Sequence, residues 1–191
     1  MPLRILLLED SAADADLITA ELRRHDAAVE VKRVTSRSAF TNALHTARPD
    51  AVLSDHGQSA FSALAALELV REVHPSVPVI VLSGSIDEHM AAACVRAGAE
   101  NVLHKRDISA LFQTVAHALE MRKPFARLTA RQLQVLRFIA EGQPTASIAS
   151  TLAVTVKTVE NHRTHIMTRM GVHDAASLVR IAAGIGLIAR R

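Results

Sequence analysis

The hydrophobic residues of the first 120 positions form five short apolar runs, and a segment with helical spacing follows each run. Four of the runs are "LRILLLED", "VEVKRV", "VPVIVLSG" and "ENVLH", and the fifth is the stretch 51–54. The segments between and after them cover residues 11–25, 36–47, 60–73, 87–97 and 107–120. Strands that alternate with helices in this way form a parallel sheet with helices on both faces. The pattern predicts a doubly wound, five-stranded α/β domain.

The last third of the chain shows only helical spacing. One helix is predicted from Thr129, which has capping-box spacing to Gln132, up to the residues before Gly142. "TASIASTLAV" predicts a short second helix, and "TVKTVENHRTHIMTRMG" predicts a longer one that Thr155 caps and Gly171 ends. Two helices joined by so short a turn are typical of a helix-turn-helix.

The longer helix of this pair carries its polar residues on one side. At about 100° per residue, the apolar arc contains Val156, Val159, Arg163, Ile166 and Met170, and the opposite arc contains Lys157, Glu160, Asn161, Thr164 and Thr168. Arg163 must extend its guanidinium to the rim of the apolar arc. Any surface helix has a polar face, but this one offers amide, hydroxyl and lysine groups without a stabilising Glu–Lys pair. We therefore expect it to contact base edges and phosphates.

Charge divides the chain at about the same place. Residues 1–123 contain 13 Lys and Arg against 16 Asp and Glu, and residues 124–191 contain 9 against 3. The two segments therefore carry net charges of −3 and +6. A small basic segment behind an acidic one indicates two domains, the second of which can meet a polyanion such as DNA.

Composition restricts the class of protein. The 191 residues are 49% hydrophobic and only 3% aromatic, which suits a soluble core of aliphatic side chains. No apolar stretch approaches the roughly 18–20 residues that cross a membrane, and the run near the N-terminus is too short for a signal peptide. Cys94 is the one cysteine, so no intrachain disulfide can form. We expect a cytoplasmic protein that does not associate with membranes.

Chemically active side chains follow the predicted strands at their carboxyl ends, where such sheets bind ligands. The second strand contributes nothing obvious, and the other four contribute Glu9, Asp10, Asp55, Ser83 and Lys105. Carboxylates this close repel each other unless a hard divalent cation such as Mg²⁺ lies among them. A hydroxyl and an ammonium can hold phosphoryl oxygens, and an Asp can be the nucleophile that forms an acyl phosphate. An Asp or Ser after a strand can instead only cap the next helix, the role we expect for Ser11 and Asp87.

Residues 1–121 resemble the receiver domain of bacterial two-component response regulators. The matching stretches are "ILLLEDS", "PDAVLSDHGQSAFSALAAL", "VPVIVLSGS" and "AGAENVLHK". The resemblance implies a flavodoxin-like fold with Asp55 as the phosphoacceptor. It implies that Ser83 and Lys105 sense the phosphoryl oxygens. It also implies a Mg²⁺ site formed by the side chains of Glu9, Asp10 and Asp55 and the carbonyl of Gly57.

The receiver-like segment departs from the common pattern at three places. In the loop after the acceptor, Gln58, Ser59 and Ala63 stand where the family usually has Leu, Pro and Gly. Arg106 replaces the proline that usually follows the lysine, and Val102 replaces an aromatic residue three positions before the lysine. We expect an intact phosphorylation pocket with an atypical output surface.

Residues 128–188 resemble the LuxR-type helix-turn-helix of the NarL/FixJ class. "LT.R…VL..IAEG" and "TVENH…I…M" carry the resemblance, and Gln132 stands where the family usually has Glu, which preserves the cap. The resemblance implies residues 145–164 as the DNA-binding helix pair. It also implies a last helix at about 174–187 as a dimer surface, for which we predict contacts by Leu178, Val179 and Ala182. The predicted DNA-binding residues are Lys157, Thr158, Glu160, Asn161, Arg163 and Thr164.

The leading hypothesis is a DNA-binding transcriptional regulator controlled by aspartyl phosphorylation. Its parts are a receiver domain at 1–121, a linker at 122–128 and a helix-turn-helix domain at 129–191. The expected partners are a sensor histidine kinase as phosphodonor, DNA with paired half-sites, and a second copy of the chain in the active state.

Two alternatives stay open at this point. In the first, the receiver acts without phosphorylation through protein partners, which the changed loop and Val102 favour. In the second, the chain is a Mg²⁺-dependent phosphohydrolase that uses Asp55 as nucleophile. Such enzymes generally need a second Asp two residues after the nucleophile, and Gly57 stands there. We therefore expect a regulator and not an enzyme.

Overall fold

The computed structural model confirms the five predicted strands, which all pair in parallel. The structure describes residues 2–57, 61–126 and 128–184. The strands are β1 (Arg4–Leu8), β2 (Glu30–Val34), β3 (Ala51–Asp55), β4 (Val79–Ser83) and β5 (Asn101–His104). They lie in the order β2-β1-β3-β4-β5. Because the strand order reverses at β1, the carboxyl ends of β1 and β3 flank the point where such sheets bind ligands.

Helices follow each of these strands, as the pattern predicts. They are α1 (Ala12–His25), α2 (Arg37–Ala47), α3 (Ala63–Val73), α4 (Glu88–Arg96) and α5 (Leu111–Ala126), with a 3-10 turn at Lys105–Ala110 before α5. The first four begin where a capping side chain accepts a main-chain hydrogen bond, from Ser11, Ser36, Ser62 and Asp87. These caps satisfy donors that have no partner within the helix. They also fix the residue at which each helix begins.

Side chains of the strands alternate between two apolar layers. Leu6 and Leu8 of β1 lie in the layer that α2 and α3 cover, and Ile5 and Leu7 lie in the layer that α1 and α5 cover. All four side chains are almost completely buried. A strand buried on both faces has a continuous apolar run and no alternation, which explains the apolar runs of β1, β3 and β4. The doubly wound α/β fold is confirmed.

The chain divides into two compact units, Met1–Glu120 and Met121–Arg191, and the rear part of the chain forms the second. Its helices are α6 (Ala130–Ala140), α7 (Thr145–Thr151), α8 (Val156–Met170) and α9 (Ala175–Gly184). Val135, Ile148 and Val159 are fully buried and join α6, α7 and α8 in one core. The all-helical second domain is confirmed, and α7 and α8 form its helix-turn-helix.

Helix α5 continues beyond its predicted end. The pattern predicts a helix to about residue 120 and a linker at 122–128, whereas α5 runs through Ala126. Pro124 is a linker signal in the sequence, but Phe125 is fully buried in the core of the second unit. Burial of a large aromatic side chain outweighs the local preference of a proline near a helix end. The predicted domain limits at 121/122 and 128/129 stay predictions.

Some predicted features lie outside the described residues. These are Gln58 and Ser59 of the atypical loop and the final residues, 185–187, of the last predicted helix. Within the ranges that the structure describes, no helix combines the length and apolar character needed to span a bilayer.

Candidate functional site

Three acidic residues meet at the carboxyl ends of two neighbouring strands. Glu9 and Asp10 follow β1, Asp55 ends β3, and β1 and β3 pair directly. One carboxylate oxygen from each of the three residues lies within 4.8 Å of the others. Glu9 and Asp55 are buried, whereas Asp10 is exposed. The structure thus brings the three predicted acids into one cluster at the sheet edge.

Lys105 enters this cluster from the end of β5. Its Nζ atom lies 2.7 Å from Glu9 Oε2, 2.5 Å from Asp14 Oδ2 and 3.1 Å from Asp55 Oδ1. Burial acts to lower the pKa of Lys105, but the hydrogen bonds to Asp14, Glu9 and Asp55 outweigh burial and raise that pKa above its ordinary value. The ammonium is therefore charged, and it offers the fixed positive group that phosphoryl oxygens need.

Glu9 is the deepest carboxylate of the cluster. Burial raises its pKa above the usual range, against the hydrogen bonds that it accepts from Lys105 and from the N–H of Ser11. The nearby charge of Asp55 raises the pKa further. A buried carboxylate with a raised pKa is held in an environment that disfavours its charge. A second cation beside Glu9, in addition to the Lys105 ammonium, would reduce this cost further.

The acid cluster fits a small divalent cation. Oxygen atoms within 4.8 Å of one another can share an ion such as Mg²⁺, which takes oxygen ligands at about 2.0–2.1 Å. Gly57 lies against Asp55, because a Cβ atom at this position would come within 3.3 Å of Asp55 Oδ2. The lack of a side chain at Gly57 keeps that oxygen open to an approaching group.

Ser83 lies on the strand next to that of Asp55. β4 pairs with β3, and Asp55 stands opposite Leu82, one residue before Ser83. The hydroxyl of Ser83 is buried; it donates to the carbonyl of Ser85 at 2.5 Å and accepts from the N–H of Ser85 at 3.3 Å. The hydroxyl is therefore engaged in its own loop. It must rotate before it can meet a group attached to Asp55.

The structure adds two residues that the sequence-based prediction missed. Asp14, in the first turn of α1, binds Lys105. Arg33, in β2, donates from Nε to the carbonyl of Glu9 at 2.9 Å and from Nη2 to the carbonyl of Asp10 at 2.5 Å. β2 therefore contributes a guanidinium that holds the main chain of the acid pair. One signal was available for Asp14, which stands one helical turn after Asp10; the sequence has no comparable signal for Arg33.

We expect Arg33→Ala to weaken Mg²⁺ binding about tenfold, the low end of the effect of residues that hold metal ligands in place. The two carbonyls lose their shared donor, so Glu9 and Asp10 are less well positioned. Loss of the exposed positive charge acts in the opposite direction but is screened by salt. Isothermal titration of the full-length protein with Mg²⁺ measures the change. Lys32→Ala, which removes an exposed charge from the neighbouring position, is the matched control; equal affinities in the two variants would contradict the positioning role.

The predicted DNA-binding residues lie along α8. Four are exposed, namely Lys157, Glu160, Asn161 and Thr164, and two are half-buried, namely Thr158 and Arg163. On the other side of the helix, Val159 and Ile166 are fully buried. The hydroxyl of Thr164 donates to the main-chain carbonyl of Glu160 at 3.1 Å. The helix therefore presents one continuous polar face to solvent.

Two details of α8 differ from the prediction. Val156, expected in the apolar arc, is 45% exposed because the helix begins at this residue and its side chain lies at the edge of the core. The prediction that α8 lacks a Glu–Lys pair is also wrong, since Lys157 Nζ lies 3.9 Å from Glu160 Oε2. Both of these side chains are largely exposed, so the pair contributes little to stability.

Polar contacts fix the helix pair against α6. Arg131 Nη2 donates to the carbonyl of Leu152, just after α7, at 2.6 Å. Arg169 Nη1 donates to Gln132 Oε1 at 2.8 Å, and the same oxygen accepts from the N–H of Thr129 at 3.0 Å. Gln132 therefore has two roles: it completes the capping box at the start of α6, and it connects α8 to that end of α6.

Helix α9 corrects one part of the dimer prediction. Leu178 and Ala182 are fully buried in the core of the second unit, so they cannot contact a second copy of the chain in this conformation. Val179 is half-buried and Arg180 is exposed. A helix packed on its own core must turn its apolar stripe inward, and this leaves only its outer side for a partner.

Two family models match the chain. The model of the response regulator receiver domain covers residues 5–116, more than half of the sequence. The chain belongs to the response regulator family. A second model, described as bacterial regulatory proteins of the luxR family, covers residues 126–182. The response regulator therefore joins a receiver to a LuxR-type DNA-binding domain, as both resemblances predict.

Curated relatives cover most of the response regulator. It is 26% identical over 201 residues to methanol utilization control regulatory protein MoxX of Paracoccus denitrificans, covering 93% of this chain and 90% of MoxX. It is 28% identical over 171 residues to transcriptional regulatory protein FixJ of Rhizobium meliloti (strain 1021), covering 82% and 84%. A solved structure of RcsB from Salmonella enterica serovar Typhimurium, bound to promoter rprA in the presence of phosphomimetic BeF₃⁻, superposes with a TM-score of 0.53 at 20% identity, covering 93% of this chain and 97% of that one. This last likeness shows the shared fold.

The family and its relatives establish the class of function. The response regulator is a two-component, DNA-binding transcriptional regulator under phosphorylation control, and it is not an enzyme. Neither alternative from the sequence is favoured. The acidic pocket at the sheet edge is of the kind in which receiver domains bind Mg²⁺.

Proposed function

We propose that Asp55 is the residue that accepts the phosphoryl group in this response regulator. The observation that carries the proposal is the position of Asp55 between an acid pair and an ammonium. Lys105 Nζ lies 3.1 Å from one oxygen of Asp55, and Glu9 and Asp10 lie within metal-sharing distance. A nucleophilic carboxylate, a cation site and a fixed ammonium are the groups that phosphoryl transfer to an aspartate needs.

The proposed step is a displacement at phosphorus. An oxygen of Asp55 forms the new O–P bond, while the donor's P–N or P–O bond breaks and its electron pair leaves with the donor. Glu9, Asp10 and Asp55, with the carbonyl of Gly57, would hold Mg²⁺, which when bound neutralises charge on the phosphoryl oxygens. Lys105 would donate to one of these oxygens. Ser83 reaches another after its hydroxyl leaves the carbonyl of Ser85.

For the second domain, we propose that α8 is the recognition helix. Its exposed polar face and buried apolar face support this assignment. Asn161 and Thr164 would contact base edges, and Lys157 would contact a phosphate. Thr158, Glu160 and Arg163 complete the proposed contact set.

The proposed partners follow from these two sites. A sensor histidine kinase would be the phosphodonor in the cytoplasm, and DNA with paired half-sites would be the target. Pairing of half-sites requires a dimer, for which the outer side of α9 around Val179 is the available part of the surface first expected from the sequence.

One experiment tests the phosphorylation and DNA-binding proposals together. Purified full-length protein is incubated with a small acyl phosphate and Mg²⁺, and its intact mass and its affinity for an operator selected from random DNA are measured on the same sample. We expect a mass increase of one phosphoryl group and specific binding that falls with salt. Absence of the mass increase would overturn the assignment of Asp55. Equal affinity for the selected operator and for random DNA would overturn the assignment of α8.

Coupling between the two sites should be modest. Val102 is half-buried and packs against an apolar layer of the first unit, and its isopropyl group is too short to swing between buried and exposed positions as a ring can. We therefore expect phosphorylation to raise DNA affinity at the low end of the roughly 1–3 kcal/mol typical of linked sites. Titration of operator DNA with phosphorylated and unphosphorylated protein measures this difference. A gain well above about 100-fold would show that another residue replaces the missing ring.

A further inference from the structure

We propose that Asp14 is a positioning residue that restrains Lys105 and thereby slows the transfer of a phosphoryl group to Asp55. The inference rests on the proposed roles of Asp55 and Lys105. Asp14 lies in the first turn of α1 and is separate from the acid pair that follows β1. Its side chain is 40% exposed, whereas that of Asp55 is almost completely buried.

The ammonium of Lys105 carries three protons; it donates hydrogen bonds to Asp14 and Glu9, and it forms an ion pair with Asp55. The distances from Nζ are 2.5 Å to Asp14, 2.7 Å to Glu9 and 3.1 Å to the acceptor Asp55. Short charge-assisted hydrogen bonds are the stronger ones. The two shortest contacts therefore hold the ammonium toward α1 and β1, and the contact with the acceptor is the weakest of the three.

A phosphoryl group on Asp55 changes this balance. The new group brings oxygens that need a donor, but two of the three N–H groups of Lys105 are held by the hydrogen bonds to Asp14 and Glu9. Glu9 is fully buried and would lose its neutralising partner without access to water. Asp14 reaches solvent, so of the two hydrogen-bond partners of Lys105 it is the one that can be released at the lower cost. Asp14 thus competes with the phosphoryl group for the ammonium.

The charge of Asp14 acts in the same direction. Phosphodonors are anions, and a further carboxylate at the rim of the site repels them. Mg²⁺ binding acts in the opposite direction, because an additional negative charge attracts the cation. Saturating Mg²⁺ removes this opposing effect from the measurement.

The test uses the full-length variant Asp14→Asn at saturating Mg²⁺. Its rate of phosphorylation by a small acyl phosphate, followed by intact mass, should rise about two- to fivefold, the range expected for a partly exposed ion pair. Its affinity for BeF₃⁻ should rise by a similar factor. Because the competition is electrostatic, the advantage should shrink as ionic strength increases, which loss of a merely structural contact would not produce. Asp14→Glu should return the rate to near that of the wild type.

Asp16→Asn is the matched control, since Asp16 is an exposed aspartate on the same helix. It should leave both the rate and the BeF₃⁻ affinity unchanged. Suppose that the wild type takes up the phosphoryl group, but Asp14→Asn is phosphorylated no faster and binds BeF₃⁻ no more tightly. That result would overturn this inference and leave the proposed function standing. Equal acceleration by Asp16→Asn would also overturn this inference. A wild type that takes up no phosphoryl group would instead overturn the proposed function.

Discussion

Replacing Asp55 with alanine is expected to reduce phosphoryl uptake from a small acyl phosphate to background. Uptake needs a carboxylate that lies beside both Lys105 and the proposed metal ligands, and Asp55 meets both conditions. Glu9 cannot replace Asp55 as the acceptor, because it is fully buried. The proposed metal would also bind to both acids that follow β1, Glu9 and Asp10. Intact mass after incubation with donor and Mg²⁺ gives the result directly. Uptake that persists in Asp55→Ala would show that another residue is the acceptor.

Asp50→Ala provides the control on the same segment. Asp50 immediately precedes β3, at the end of the strand away from the site, and forms an exposed ion pair with Arg4. We expect this variant to be phosphorylated like the wild type. The double variant Glu9→Gln with Asp10→Asn keeps the acceptor and removes two proposed metal ligands, so it should slow uptake strongly without abolishing it.

Replacing Asn161 with alanine should cost about 1–3 kcal/mol on a selected operator and relax the sequence preference at one position. Lys157→Ala should instead weaken binding to all sequences alike and reduce the slope of log affinity against log salt by about one unit. The reason is that an amide can read a base edge, whereas an ammonium on a flexible stem meets a phosphate. Fluorescence anisotropy on selected and random duplexes at several salt concentrations separates the two effects.

Arg137→Ala serves as the charge-matched control for the lysine. Arg137 is an exposed cation on α6, paired with Glu141. It should change the salt slope less than Lys157→Ala does. If the variants at Asn161 and Lys157 behaved identically on selected and random DNA, the placement of the recognition helix would be wrong.

The main acids of the candidate site could be predicted from the sequence because the fold restricts the positions at which a charged residue can stand. Ala51, Val52 and Leu53 are fully buried, so the first charged residue after them, Asp55, has to stand at the strand's end. Parallel pairing then places that end beside Glu9. A local apolar run and one topological rule are enough for this inference.

The missed residues depend on geometry that no local pattern contains. Asp14 and Lys105 are 91 positions apart, and their contact requires the first turn of α1 to lie beside the end of β5. Arg33 reaches the carbonyls of Glu9 and Asp10 only because β2 is the neighbour of β1 in the sheet. A long side chain on an exposed strand position has many possible partners, and the sequence does not select among them.

Two errors in the helices have different origins. For α5, Pro124 indicated a linker after the helix, whereas Phe125 is buried in the core of the second unit. The burial of Phe125 outweighs the proline signal, and the helix continues through Ala126. For α8, the spacing of Lys157 and Glu160 allows an ion pair, but rotamers decide whether one forms. The spacing of residues therefore predicts which of them share a face of a helix more reliably than it predicts individual side-chain contacts.

The hydroxyl of Thr164 donates its one proton to the carbonyl of Glu160, and this leaves only lone pairs to face outward. In the proposed interface, Thr164 is then an acceptor and selects for the amino groups of adenine or cytosine in the major groove. The operators selected for the Asn161 measurement should accordingly carry an amino-bearing base on the strand that Thr164 meets. A guanine or thymine fixed at that position would show that the hydroxyl leaves its helix on binding. A hydrogen bond made within one turn of a helix would thus restrict one position of the sequence that this response regulator reads to two of the four bases.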